Sequence, residues 1–202
     1  AKLLLLSFIT AMPIKTLIQP LFIATSSLFT IQKTQVTLSY HLGITPRKIE
    51  QSHLVFENNS DKVSLPLPVA LIHHLANSDN LPNIEADISQ NKINEIADYL
   101  KVLRESLELP YLSINRIEMA LATLLTRYLA GSHGHIAELV CRMPAPDAPA
   151  MYYSSHANSE IVKHYIKALQ QLNTQNHLVF DYSNRRTDAN VGSAFALTLD
   201  SV

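Results

Sequence analysis

The chain has 202 residues, 16 Lys and Arg against 17 Asp and Glu, a formal net charge of −1 at pH 7, and a composition 47% hydrophobic and 16% charged. That length suits one domain, or one domain with a short tail, and the apolar, charge-poor balance excludes an intrinsically disordered chain. The single cysteine, Cys141, excludes an internal disulfide framework and an all-thiolate zinc cluster within one chain. No Trp, 4 Gly and a mean hydropathy of +0.07 point to a mainly helical domain.

At the amino end Lys2 precedes Leu3-Leu4-Leu5-Leu6, the charge-then-apolar pattern that opens a secretory signal. Pro13, Lys15, Gln19 and Pro20 interrupt it, so no run of about 18 apolar residues survives. Residues 2–12 are therefore expected as a buried helix, with a secreted or periplasmic location as the minority alternative. Pro13 then opens a short second helix at residues 14–19. Residues 34–40 alternate Val36, Leu38 and Tyr40 with polar neighbours and read as a strand with one wet face. Two further strands are expected at residues 53–56 and 62–67, joined across Glu57-Asn58-Asn59-Ser60-Asp61, whose side chains favour a tight turn. Pro66-Leu67-Pro68 ends that ladder, because proline has no N–H to donate, and a helix over 69–76 follows.

The middle of the chain is helical. Ile93, Ile96, Leu100, Leu103 and Leu107 share one stripe, stopped by Leu109-Pro110. Ile117, Leu121, Leu124, Leu125 and Tyr128 line the next helix, which Gly131 ends, and Ile136, Leu139 and Val140 mark a shorter one. Three prolines make 143–150 an irregular connection, and Ile161, Val162, Tyr165, Ile166, Leu169 and Leu172 define a strongly amphipathic helix. Residues 178–182 and 194–199 read as short strands or extended arms. The expected fold class is α+β, a mainly helical domain with a small antiparallel β-sheet near the N-terminal third. It spans residues 1–175, and a C-terminal extended tail or arm covers 176–202.

Element order and several local phrases together resemble the catalytic domain of the tyrosine recombinases, the phage-type integrases, over residues 2–175. Thr10-Ala11-Met12-Pro13-Ile14-Lys15-Thr16-Leu17, with the helix before it, is similar to that family's opening helix and its Thr-Gly-Leu-Arg-Ile-x-Glu-Leu phrase. Asn58 to Pro68 resembles its β-hairpin. Asn115-Arg116-Ile117-Glu118-Met119-Ala120-Leu121-Ala122-Thr123 resembles the His-x-x-Arg-His-x-x-Ala-Thr helix, and Leu139-Val140-Cys141-Arg142 the Leu-Gly-His turn. Met151-Tyr152-Tyr153 falls where the nucleophilic tyrosine is expected.

In such enzymes a tyrosine oxygen attacks a DNA phosphodiester and holds the cut strand as a phosphotyrosine. Two arginines fork onto the non-bridging oxygens, and a hairpin lysine and histidines move protons. The resemblance thus implies Tyr152 or Tyr153 as nucleophile, Arg142 at the late histidine position, and Lys62 on the hairpin, with the lysine slot itself falling near Asn58. The arginine positions fall on Pro13 and Glu118, the acidic neighbour on Thr16, and the first histidine on Asn115. A proline cannot hold a phosphate, and a carboxylate repels one. The implied function is a DNA-binding domain of a DNA integration or recombination protein with strand cleavage impaired or lost. One alternative is an active site-specific recombinase with rearranged residues, in which Arg116, Arg127 or Lys15 supplies charge from adjacent turns. Another is a helical protein-interaction module that kept only the fold.

The implied partners are duplex DNA and, through the C-terminal tail, further copies of the chain; no membrane partner and no cofactor are expected. A cytoplasmic, nucleoid-associated location follows, with a DNA-clamping domain expected ahead of residue 1. The balanced charge counts against strong DNA binding by this segment alone. Plainer readings stand beside the sharp ones. Tyr152-Tyr153 can anchor the terminal helix as aromatics, and Arg142 can be a solvated charge at a helix end. His133-Gly134-His135 has no third ligand in view, so no metal is expected. Cys141 reads as a small buried residue, His73-His74 as surface, and Arg185-Arg186 with Lys163 and Lys167 as solvated charge or a modest phosphate-contacting patch.

Overall fold

A computed structural model of the chain describes residues 2–22, 29–32, 35–42, 60, 62–69, 86–129, 134–142, 155–172, 178–180 and 190–192. Helix α1 (Lys2–Thr10) is apolar on nearly every side, and Leu4, Leu6, Ser7, Ile9 and Thr10 are buried. Ala11, at φ 49°, turns the chain left-handed and ends it. Helix α2 (Ile14–Phe22) starts behind Pro13, whose carbonyl accepts the amides of Thr16 and Leu17 at 2.9 and 3.1 Å. It runs past the expected residue 19.

Strands β1 (Phe29–Gln32), β2 (Gln35–His41) and β3 (Lys62–Pro66) form an antiparallel sheet in that order. The register sets Leu38 between Phe29 and Leu65, and Tyr40 opposite Val63. Val36, Leu38, Tyr40, Val63 and Leu65 are all buried, so the period of two turns one face inward. Beyond Pro66 the Leu67 amide still donates to the Val36 carbonyl at 2.8 Å. β1 adds a strand that the sequence pattern does not predict, and β2 pairs with β3. Residues 53–56, and all of 69–76 except Val69, lie outside the described residues.

The helical majority comprises α3 (Ala86–Ser106), α4 (Ile114–Tyr128), α5 (Gly134–Cys141) and α6 (Asn158–Leu172). On α3, Ile96 and Leu100 are buried, and Ile93 and Leu103 pack beside them. Leu107, expected on the same stripe, is 56% exposed. The helix stops at Ser106 and Glu108 adopts φ 53°, so the stripe breaks before Pro110 is reached. Ser113 caps α4, its side chain accepting the Arg116 amide at 3.3 Å. α4 ends at Tyr128, and Leu129 follows as its C-cap.

Strands β4 (Ser155–Ala157) and β5 (Asn190–Gly192) form a second antiparallel pair. Asn158 ties that region to the first sheet, its Oδ1 accepting the Ser64 amide at 3.1 Å while its Nδ2 donates to the Ser64 carbonyl at 3.2 Å. Two stretches of the expected tail thus lie on the domain. Val191 is fully buried in the core, and the Val179 carbonyl accepts the Val69 amide at 2.8 Å. Residues 178–180, expected as part of a short strand or an extended arm, make that contact outside any strand among the described residues, and 194–199 lie outside them.

The main core joins the first sheet to α1, α4, α5 and α6 through Leu38, Leu65, Leu121, Leu125, Leu139 and Tyr165. A smaller cluster of Leu4, Ile14, Ile18, Ile96 and Leu100 seats α3 on α1 and α2. The chain is an α+β domain, mainly helical with small antiparallel sheets. Among the described residues no helix is long and apolar enough to cross a membrane.

Leu125 is fully buried, so Leu125→Ala is expected to cost about 2–5 kcal/mol, read as a lower urea midpoint at unchanged m-value. The same change at exposed Leu107 is expected to stay within about 0.5 kcal/mol.

Candidate functional site

A helix end leaves its last carbonyls, or its first amides, without partners inside the helix, and burying such a group bare costs about 1–3 kcal/mol. At the corner where α1 ends and α2 begins, Ile9, Thr10, Met12 and Ile14 are buried while Pro13 is exposed, and side chains satisfy the buried backbone groups. Tyr165 Oη donates to the Ile9 carbonyl at 2.9 Å, and Arg142 Nη2 donates to the Thr10 carbonyl. Ser7 Oγ donates to the Met12 carbonyl at 2.7 Å. At the start of α2 the Ile14 amide donates to Glu118 Oε1 at 2.8 Å, placing a carboxylate against the positive end of that helix.

A second helix end is held from the same neighbourhood. Tyr40 Oη lies 2.9 and 3.0 Å from the carbonyls of Leu139 and Val140, in the last turn of α5. Arg142 follows that turn at φ 53°, and its guanidinium lies 4.6 Å from the centre of the Tyr40 ring. Arg142 Nη1 is buried with no hydrogen-bond partner among the described residues.

Burial governs the electrostatics here. It pushes the Cys141 thiol up to about 12, with the Arg142 charge pulling the other way. Burial likewise raises the Tyr40 and Tyr165 phenols well above their ordinary value, again opposed by Arg142. The Arg142 guanidinium is lowered by its own desolvation, and Tyr40, Cys141 and Tyr165 act to raise it. All three acids therefore stay protonated at neutral pH, and Cys141 is a packed thiol with no thiolate reactivity.

The residues singled out from the sequence part company. Arg142 is neither a solvated charge nor an open phosphate ligand; it is turned into the core on Thr10 and Tyr40 because the left-handed residue after α5 aims it there. Lys62 is exposed at the start of β3, opposite His41 in the register. Arg116 is exposed on the first turn of α4, its guanidinium 5.1 Å from the centre of the Tyr111 ring. Two residues along a helix are rotated by about 200°, so Arg116 faces away from the corner that Glu118 braces. Among the described residues no contact links Lys62, Arg116 and Arg142. Tyr152 and Tyr153 lie outside the described residues, as do Asn58 and His133.

His135 stacks on His156 with ring centres 4.2 Å apart, and His156 Nδ1 is 3.4 Å from Glu160 Oε2. Among the described residues no group of three or more His, Cys, Asp or Glu side chains is placed to hold a metal ion. Sequence reasoning missed the polar functions of Tyr40 and Tyr165, which it counted as apolar positions of a strand and a helix. Periodicity carries no signal for a hydroxyl at the tip of a buried ring.

The chain matches no protein-family model, no curated protein and no solved structure.

Glu118→Ala is expected to cost about 1–2 kcal/mol by orphaning the Ile14 amide, and Glu118→Gln, which keeps an acceptor oxygen, less; thermal melts of the two variants measure the difference. The raised acids set an alkaline limit. Their neutral forms are favoured by the fold, so their contribution is complete below the unfolded thiol value of 9.0 and is lost as pH rises from there toward the folded value of about 12. Tm is expected to be level from neutral pH to near 9 and to fall above it. Cys141→Ala should move the onset toward the unfolded tyrosine value of 10.0.

Proposed function

We propose that the chain is a tyrosine-recombinase-like, DNA-contacting domain of a DNA integration or recombination protein, one that has lost strand cleavage. The observation that carries this reading is the hydrogen bond from the Ile14 amide to Glu118, residues 104 apart in sequence. In the resemblance, Pro13 and Glu118 stand at the two arginine positions, which must converge on one phosphate. Glu118 lies 2.8 Å from the amide beside Pro13. Arg142, at the late histidine position, meets the carbonyl of Thr10 just before the same corner. Three positions from distant segments meeting at one corner is what a shared scaffold requires.

The occupants of those positions weigh against the reaction. Losing one preorganised donor to a developing oxyanion costs about 10²–10³ in rate. Here both arginines are gone and a carboxylate, already committed to a helix end, takes one place. A phosphate entering the corner meets like charge and must break the bond that starts α2. Arg116 faces the other side of α4, which weighs against its standing in for a lost arginine. Self-association through 176–202 would have to spare or replace the burial of Val191.

The test uses a labelled random-sequence duplex and a library of nicked suicide duplexes. Anisotropy is expected to show weak binding, with dissociation constants of about 10⁻⁴–10⁻⁶ M that weaken steeply as salt rises. Denaturing gels of the nicked library are expected to show no protein–DNA adduct. No binding at low salt would remove DNA as the partner. An adduct that disappears in Tyr152→Phe or Tyr153→Phe would restore strand cleavage.

A further inference from the structure

A groove of about 630 Å³ opens between α1, α3, the 107–112 turn and α4, on the side of α4 away from the braced corner. Its lining is almost wholly apolar, and Arg116 is the one charged residue in it. Four of its large apolar side chains, Leu5, Tyr99, Leu109 and Tyr111, are solvent-exposed, Tyr111 at 72%. The Arg116 guanidinium lies over the Tyr111 ring, and among the described residues no carboxylate pairs with it; Glu118, two residues on, is spent on Ile14. The volume falls in the range of small-ligand sites, about 300–1,000 Å³. An uncharged apolar ligand would leave the guanidinium unused, and a polar anion would leave the walls unused.

We infer that this groove binds a single-chain amphipathic carboxylate of the fatty-acid type, its hydrocarbon along Leu5, Tyr99, Leu109 and Ala120 and its carboxylate on Arg116. Neither Ile14 nor Glu118 is among its lining residues. Tyr111 holds the guanidinium from one face, leaving its edge donors to the carboxylate.

Isothermal titration of the full chain at neutral pH, with each compound below its micelle-forming concentration, tests it. Sodium dodecanoate is expected to bind saturably at one site per chain. Decanoate and octanoate should each be weaker, by about three- to fourfold per methylene removed. Dodecan-1-ol should bind about tenfold more weakly than dodecanoate, because it keeps the apolar contacts and loses the charge-assisted bond. Arg116→Gln, at an exposed position that should leave the circular dichroism unchanged, is expected to weaken dodecanoate about tenfold and to leave dodecan-1-ol unaffected. Tyr111→Ala should weaken both. Absence of saturable binding, equal affinity for acid and alcohol, or an Arg116→Gln variant that binds dodecanoate normally would each overturn the inference. So would sedimentation showing a dimer that Tyr111→Asp separates, since a second copy would then occupy the groove.

Discussion

Ile9, Thr10 and Ile14 at the α1–α2 corner are buried while carrying backbone groups that neither helix satisfies, and the arrangement of the far half of the chain follows from that constraint. Ile9 and Thr10 offer carbonyls that only side chains can reach, and Tyr165 and Arg142 reach them from α6 and from the end of α5. The amide of Ile14 finds its acceptor on α4. Each bond spans more than a hundred residues, so the corner can be satisfied only after the chain has closed on itself. Apolar packing brings these segments together; the polar contacts select one arrangement among several of similar burial.

The same contacts explain why the corner is a poor place for chemistry. Catalysis on an anion needs donors that are held in place yet unspent until the substrate arrives. Here Arg142 gives Nη2 to Thr10 and its face to Tyr40, keeping only the buried Nη1 uncommitted, and Glu118 is spent on the start of α2. In the proposed reading, what a recombinase site would hold ready for a phosphate is built into the architecture instead. That exchange gives a self-supporting corner in place of a reactive one, and it joins the proposed loss of cleavage to a structural gain.

The described helices and strands β2 and β3 could be read from periodicity because burial imposes it: Ile96 and Leu100 on α3, Leu121 and Leu125 on α4, Leu38 and Tyr40 on β2 all face the core as their spacing dictates. β1 escaped because four residues are too few to set a period apart from chance, and β4 and β5 are shorter still. Leu107 misled because the pattern continues past a helix end that backbone geometry at Glu108 decides. For the candidate site, the charges and hydroxyls were legible as residue types and their use was not. Arg142 looked available because sequence shows a charge and not its direction, and a left-handed residue turned it inward. Glu118 read as a loss, whereas in three dimensions it is a partner.

The pair of bonds between Asn158 and Ser64 has a consequence beyond joining two elements. Among the described strands β3 is the outer one of its sheet, and an outer strand offers unpaired amide and carbonyl groups to any extended chain that approaches. The Asn158 amide meets one donor and one acceptor of Ser64 at once, as a neighbouring strand would. A net charge of −1 provides little repulsion to keep copies apart in solution. One side-chain amide, set at the start of a helix, thus occupies the Ser64 groups through which intermolecular β-zipping would extend the described sheet.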